Sequence, residues 1–305
     1  MFHTPEPPAP HENPLHMVVT PNNPCSNTTT YCLYGRFGNH IIRNICASIL
    51  AEKYNLKFEY SCYQAIMNMG IKLYTEGTTT HPTTLQFKDE YFDRFMMESQ
   101  EMNGVSGIDC KKTENDQTPR YVWDGDEEPT PEKHNIDVNF IFLQTATTAR
   151  YVRNFINERM SSIKQHNPFR ERYENNNDVF VHIRLGDIAT TNFVTPVEYY
   201  RNTLIKVLKD PQYYGGKRYI SSDSIEHPTC QELIRQFSMI PLVMNEITTI
   251  QYASTCSNLI LSSGTFSWII GVMGFHSKVY YPEIRVKWHG DIFIFDDWME
   301  EPIES

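Results

Sequence analysis

The residues best suited to chemistry stand at the end of the apolar run Phe180–Ile183, where His182, Arg184 and Asp187 follow one another closely. The run predicts a buried strand that delivers polar groups at its carboxyl end, where open α/β sheets bind ligands. The guanidinium of Arg184 is a planar fork of donors that matches phosphate oxygens. Gly186 permits a sharp turn, and Asp187 can pair with Arg184 or aim it. Taken alone, the segment favours a core strand followed by a surface Arg–Asp pair.

A second candidate site is the turn Gly35-Arg36-Phe37-Gly38-Asn39, which precedes apolar residues at helical spacing. Its glycines let the backbone approach a ligand closely, and free amides at the start of a helix favour an anion. Arg36 adds positive charge, and Asn39 can donate a hydrogen bond or cap the helix. An ordinary tight turn explains the same residues equally well.

Two further turns also follow predicted strands. In Ser221–Ser224, Asp223 can accept hydrogen bonds from a ribose or a base edge, although Ser and Asp are also common helix caps. In Ser262–Trp268, hydroxyls and amides converge at a predicted helix start, which suits a phosphate or simple capping. Three anion-suited turns and one carboxylate in the same topology favour a nucleotide-type ligand. The sequence contains neither a glycine-lysine phosphate loop nor a full dinucleotide fingerprint.

The elements that must position these turns alternate along the second half of the chain. The predicted strands are Val179–Ile183, Arg218–Ser221, Asn258–Ser262 and Lys278–Tyr281. The predicted helices are Val197–Leu208, Thr229–Phe237, Ile250–Cys256 and Phe266–Phe275. This alternation predicts an α/β fold with a parallel, doubly wound sheet. In the first half we predict strands at Thr30–Tyr34, Leu56–Tyr60 and Val138–Leu143, and a helix at Ala149–Ile163.

The length of 305 residues indicates two domains. We expect a Pro-rich tail at 1–29, a first domain at 30–164 with an acidic insertion near 103–134, a second domain at 177–290 and a tail at 291–305. Asp124-Gly125-Asp126 lies in that insertion and is interpreted as a solvated loop, so no metal site is predicted.

The net charge of -10 argues against broad nucleic-acid or anionic-membrane surfaces. The sequence shows neither a signal peptide nor an apolar stretch long enough for a membrane span, which predicts a soluble, cytoplasmic protein. Seven cysteines without metal-ligand spacing favour buried free thiols in a reducing compartment, and one or two disulfides remain an alternative.

The four sites, in this order, resemble the fucosyltransferase superfamily that includes glycosyltransferase family 11 (α-1,2-fucosyltransferases), the α-1,6-fucosyltransferases and the protein O-fucosyltransferases. Gly35–Asn39 is similar to the family's N-terminal Gly-Arg-hydrophobic-Gly-Asn motif, although His40 replaces the usual Gln. Val181–Asp187 resembles the His-x-Arg-Arg-x-Asp motif, with Leu185 in place of the second arginine. The family's Ser/Thr-Asp and Ser/Thr-Phe-Ser segments are matched by Ile220–Ser224 and Ser262–Trp268.

This resemblance implies a GT-B-like arrangement of two facing Rossmann-like domains with parallel sheets. It also implies inverting transfer of fucose from GDP-fucose to a hydroxyl of a glycan or glycoprotein acceptor, with no required metal. The implied catalytic residues are Arg184, which would hold the donor β-phosphate, and Asn39, which would face the phosphate or the reacting centre. The implied donor-binding residues are Gly35, Arg36, Phe37, Gly38, His182, Asp187, Asp223, Ser224, Gly264, Thr265, Phe266 and Ser267. Among these, Asp223 and Ser224 would meet the base or ribose, and Gly264, Thr265 and Phe266 would cradle the phosphates.

The departure at Leu185 removes one cation, for which Arg36 or Arg43 would have to compensate. It leaves two alternatives: a glycosyltransferase that uses another nucleotide sugar, and a catalytically silent glycan- or nucleotide-binding protein on the same scaffold. A general base should activate the acceptor hydroxyl. His182, Asp187 and Glu198 are candidates, and each is also consistent with a structural role.

Overall fold

A computed structural model describes residues 36–60, 62–79, 84–86, 92, 135–137, 143–174, 176–285 and 292–303. Their main sheet consists of β3 (Val179–Ile183), β4 (Arg218–Ser222), β5 (Ile240–Pro241), β6 (Asn258–Ile260), β7 (Lys278–Pro282) and β8 (Met299–Glu301). All its neighbouring strands are parallel, in the order β5-β4-β3-β6-β7-β8. A separate parallel pair joins β1 (Thr84–Gln86) to β2 (Asn135–Asp137).

The strand order defines where this sheet can bind a ligand. From β3 the chain adds β4 and β5 on one side, and then returns to add β6, β7 and β8 on the other. β3 and β6 are therefore neighbours whose connections leave in opposite directions, which opens a crevice at their carboxyl ends. This architecture confirms the predicted α/β class with a parallel sheet and is compatible with a Rossmann-like fold. The second facing domain stays a prediction.

The described helices cover both faces of the main sheet. They are α1 (Phe37–Tyr54), α2 (Tyr63–Asn68), α3 (Ala146–Glu158), α4 (Met160–His166), α5 (Val197–Lys209), α6 (Pro228–Phe237), α7 (Glu246–Ala253) and α8 (Thr265–Met273). Short 3₁₀ turns occur at Arg170–Tyr173 and Gly186–Ile188. The single helix predicted over Ala149–Ile163 is divided between α3 and α4, because Arg159 leaves helical geometry with φ -103° and ψ 8°.

Strand β3 lies at the centre and alternates between two hydrophobic cores. Phe180 belongs to the core that the sheet forms with α1, α3, α7 and α8. Val179, Val181 and Ile183 belong to the core on the other face, with α5 and α6. Because helices cover both faces, the whole strand is buried, which explains why its sequence is apolar apart from His182.

Helix α1 packs closely on α8, and a glycine permits the contact. A Cβ atom at Gly38 would lie 2.7 Å from the backbone nitrogen of Phe266 and 2.8 Å from the carbonyl carbon of Thr265. Any side chain at this position would push the two helix starts apart. The glycine therefore sets how closely the first turns of α1 and α8 approach each other.

The structure corrects several sequence predictions, and others concern residues outside the described ranges. Leu56–Tyr60 is not a strand, because only Leu56 makes an isolated parallel bridge, to Thr79. Residues 291–305, expected as a tail, include β8, which pairs with β7. The predictions for 1–29, 30–34, 103–134 and 138–142 lie outside the described residues. Leu143, the last residue of one predicted strand, is not in a strand.

The described cysteines differ in state. Cys46, Cys230 and Cys256 are buried thiols that form no disulfide, as expected. Cys62 is disulfide-bonded, which corresponds to the alternative that the sequence left open. Across the described part of the chain, no helix combines the length and the apolar character that a membrane crossing requires.

The contact between α1 and α8 predicts the effect of Gly38→Ala. Alanine favours a helix by about 1 kcal/mol over glycine, but overpacking against backbone costs about 1–3 kcal/mol. We expect a net loss of free energy of unfolding of up to about 2 kcal/mol, measured by urea denaturation. An unchanged or higher stability would show that the two helix starts do not meet as described.

Candidate functional site

The candidate site is the crevice where β3 and β6 end. Arg184 directly follows β3, and its backbone N–H donates to Oγ of Ser262, just beyond β6, at 3.1 Å. This bond extends the pairing of β3 with β6 to the point where the strand order reverses. Ligands of open α/β sheets bind at this point.

Two helices begin at this crevice without a side-chain cap. Neither Arg36, before α1, nor Gly264, before α8, accepts a hydrogen bond from its helix through a side chain. Thr145 caps α3 and Asn245 caps α7 with their own oxygens, whereas α2, α4 and α5 also begin without a side-chain cap. Uncapped N-termini carry unpaired N–H groups and a partial positive charge, and they therefore favour an anion between them.

Four charged side chains form a closed cluster over the crevice, which we call the charge ring: Arg36, Arg184, Asp187 and Asp223. Arg36 donates to Oδ2 of Asp223 at 2.6 Å and to Oδ1 of Asp187 at 3.1 Å. Arg184 donates to the same two oxygens. Each arginine thus bridges the same pair of carboxylates.

Gly186 lies against the charge ring and has φ +36°, a conformation that favours glycine. A Cβ atom there would lie 2.5 Å from Oδ2 of Asp223, 2.6 Å from Nη1 of Arg184 and 3.0 Å from Nη2 of Arg36. Glycine is therefore required both by the backbone conformation and by the space that the four charged groups occupy.

Both carboxylates of the ring are held in the ionised form. Burial acts to raise the pKa of Asp223, but the N–H of Leu185 and the charges of Arg184 and Arg36 lower it overall. Burial also acts to raise the pKa of Asp187, but the hydrogen bond and charge of Arg184 and the charge of Arg36 lower it overall. At neutral pH the two aspartates are charged.

A buried hydrogen-bond network lies beneath the ring. Nδ1 of His182 is 2.6 Å from Oγ of Ser267 on α8, and Oγ of Ser267 is 2.8 Å from Oγ of Ser262. Burial lowers the pKa of His182 to about 4, partly offset by the charge of Asp223. His182 is therefore neutral at pH 7 and joins β3 to the first turn of α8.

Leu185 takes part in the charge ring only through its backbone. Its side chain is fully buried in the core shared with α5 and α6, and only its N–H reaches the ring, donating to Oδ1 of Asp223 at 2.9 Å. The two-residue period of β3 could have predicted this, since Val181 and Ile183 face the same core. Arg36 supplies the second guanidinium, whereas Arg43 is buried and bonds Nδ1 of His40 at 3.0 Å.

The remaining residues of the two helix starts lie near the crevice in different settings. Oδ1 of Asn39 accepts a hydrogen bond from Nε2 of Gln144 at 3.0 Å. Phe37 is buried in the core, whereas Thr265 and Phe266 are half-buried in the first turn of α8. Gly35 lies outside the described residues.

Two other candidates have hydrogen-bond or ion-pair partners outside the charge ring. The N–H of Ser224 donates to Oγ of Ser222 at 3.0 Å. Glu198, considered as a general base, lies 3.5 Å from Arg201, which also pairs with Glu232 of α6. Glu198 therefore belongs to an ion-pair cluster between α5 and α6.

Sequence reasoning missed two residues at this site. Thr195 is buried, and its Oγ1 lies 3.4 Å from Oγ of Ser263, next to the end of β6. The signal was the Thr195-Pro196 pair before a helix, since Pro favours a helix start. Gln144 contacts Asn39 across 105 positions, which no local pattern reveals.

Within the described ranges, no three His, Cys, Asp or Glu side chains are grouped so that they could hold a metal ion. Asp124 and Asp126 lie outside those ranges. Comparisons with models of protein families, with curated proteins and with solved structures gave no match.

The buried His182 predicts a pH dependence of stability. Its pKa is about 4 in the folded protein and 6.5 ordinarily, so the unfolded chain binds an extra proton between these values. Stability from this group is complete above pH 6.5 and is lost as the pH falls toward 4, by about 2–4 kcal/mol. We expect urea denaturation of His182→Gln to show a smaller loss between pH 7 and 4 than the wild type.

The exposed His276 provides the control, and we expect His276→Gln to keep the pH dependence of the wild type. If the free energy of unfolding fell equally between pH 7 and 4 for the wild type and His182→Gln, His182 would not be held neutral by burial.

Proposed function

We propose that this protein is an inverting glycosyltransferase that moves fucose from GDP-fucose to a hydroxyl group of a glycan acceptor. Two kinds of observation support the proposal. Four motifs resemble the fucosyltransferase superfamily in the same order along the chain. The described residues of those motifs lie around one crevice of a parallel sheet.

One observation carries the proposal: Arg36 and Arg184 meet where two uncapped helices begin. Helix starts and arginine forks are each suited to phosphate oxygens. Their combination at the point where the strand order reverses fits a diphosphate better than an isolated monoanion, because two separate groups of donors are available. A nucleoside diphosphate sugar has this chemistry.

The same geometry explains how transfer would be accelerated. The acceptor oxygen bonds to the anomeric carbon as the bond from that carbon to the β-phosphate oxygen breaks, and the acceptor proton passes to a base. Negative charge then accumulates on the departing β-phosphate. The guanidinium of Arg184 and the amides of Thr265 and Phe266 would stabilise that charge without reorganising. Loss of one such donor typically lowers the rate about 100- to 1000-fold.

The two arginines contribute from different depths. The side chain of Arg184 is 12% exposed and emerges from the central strand, whereas that of Arg36 is 51% exposed and precedes α1. Arg184 is therefore the fixed donor and Arg36 the more mobile one. This division is consistent with Arg184 holding the β-phosphate, while Arg36 closes over the outer side of the diphosphate. In this arrangement Arg36 supplies the positive charge of the family's second motif arginine, in whose place this chain has Leu185.

The test is thermal unfolding with GDP, UDP, ADP or CMP, without added metal. We expect only GDP to raise the melting temperature, by an amount that corresponds to about 2.7 kcal/mol at 100 times Kd. Arg184→Ala should abolish that shift. Incubation with GDP-fucose and a glycan acceptor should then release GDP, at a rate about 100- to 1000-fold lower in the variant.

Arg201→Ala is the matched control, because Arg201 also pairs with two carboxylates but lies between α5 and α6. It should keep the GDP shift. A rise in melting temperature with UDP alone would support a glycosyltransferase that uses another nucleotide sugar. GDP binding without transfer or hydrolysis of GDP-fucose would indicate a silent binding protein. No shift with any nucleotide would contradict the proposal.

A further inference from the structure

The charge ring is electrically neutral as it stands. Arginine stays protonated at all ordinary pH values, and the pKa values of Asp187 and Asp223 are both lowered. The two positive side chains are thus balanced by two negative ones. A diphosphate that enters the crevice would meet guanidinium groups whose donors are already directed at carboxylates, so one carboxylate has to withdraw.

The two carboxylates are anchored very differently. Asp223 uses both oxygens: Oδ1 accepts the N–H of Leu185 at 2.9 Å, and Oδ2 accepts from both arginines. Its side chain is 25% exposed. Asp187 bonds both arginines through Oδ1 and accepts a hydrogen bond from its own backbone N–H, and its side chain is 67% exposed. Asp187 is therefore the group that can leave at the lower cost.

The position of Asp187 also allows it to move. It is the middle residue of the 3₁₀ turn Gly186–Ile188 and directly follows Gly186, the glycine with positive φ. Rotation of an exposed side chain there would free one donor on each arginine and leave the Leu185–Asp223 bond in place. The arginines would remain oriented by Asp223 while they turn toward a new anion.

Resting on the proposed function, we infer that Asp187 is an internal substitute for the donor diphosphate, which occupies the two arginines until the ligand displaces it. Asp187 would thereby set the affinity of the site for anions. An arginine pair without such a carboxylate would bind any phosphate that reached the crevice. When the carboxylate is present, a ligand has to offer the two arginines more negative charge than the single carboxylate that it replaces, as a diphosphate does.

The test compares Asp187→Asn with the wild type by isothermal titration calorimetry, using GDP and inorganic pyrophosphate as probes. Removing the competing charge should lower Kd for both probes by about three- to tenfold, a range in keeping with an exposed ion pair and its repulsion of the ligand. The side chain is largely exposed, so the variant should fold, and Asp187→Ser serves as a second version.

Two control variants make the result specific. Asp210→Asn removes an aspartate paired with Lys278, at 3.1 Å, at the opposite edge of the sheet where β7 begins. It carries the same charge change and should leave Kd unaltered. Asp223→Asn removes the anchored carboxylate that orients both arginines and should weaken binding.

The outcomes separate this inference from the proposed function. If the wild type binds GDP and Asp187→Asn binds it equally or more weakly, the inference is overturned and the function stands. If Asp187→Asn binds pyrophosphate more tightly than the wild type does, but binds GDP no better than pyrophosphate, the role of Asp187 as an internal substitute is supported. The proposal of a nucleotide donor is then wrong. If neither probe binds the wild type or the variants, both are overturned.

Discussion

The close approach of two helix starts is the constraint on which the candidate site depends. Gly38 leaves no room for a side chain between the first turn of α1 and the backbone of α8 at Thr265 and Phe266. This contact brings Arg36, from early in the chain, over the end of the central strand β3. Without it, Arg184 would face the crevice with no second cation. The long-range packing of α1 on α8 therefore creates the local chemistry.

The polar groups at the crevice are arranged in two layers with different physical roles. The lower layer is buried and neutral: His182, Ser262 and Ser267 join two strands and a helix through hydrogen bonds. The upper layer is charged and partly exposed, and its four side chains compensate one another. The buried layer fixes geometry, because a shift of any member leaves a polar atom unpaired. The upper layer can exchange partners more easily, because most of its side chains are partly exposed to solvent.

Local sequence patterns predicted the elements that are specified locally. The apolar run at Val179–Ile183 gave β3 at its observed bounds. The strand Met299–Glu301 was missed, because its short and charged sequence has no strand pattern and is defined only by pairing with β7. A helix break at Arg159 was missed because the apolar spacing continues across it.

The candidate site was predicted as four separate turns, and the sequence could not show how they combine. Arg36 and Asp223 are 187 positions apart, so their ion pair follows from the fold and not from any motif. The backbone bond from Leu185 to Asp223 was equally hidden, because a backbone N–H leaves no trace in the sequence of the carboxylate that it meets 38 positions away. Motifs identified the participants, and the topology of the sheet determined which of them meet.

The central claim is that a diphosphate binds between the starts of α1 and α8. Hydrogen exchange of backbone amides, followed by mass spectrometry with and without saturating GDP, tests it most directly. We expect bound GDP to slow exchange in peptides covering residues 36–40 and 264–268, with no change around residues 212–218 at the opposite edge of the sheet. Unchanged exchange at both helix starts, or protection confined to other parts of the chain, would contradict it.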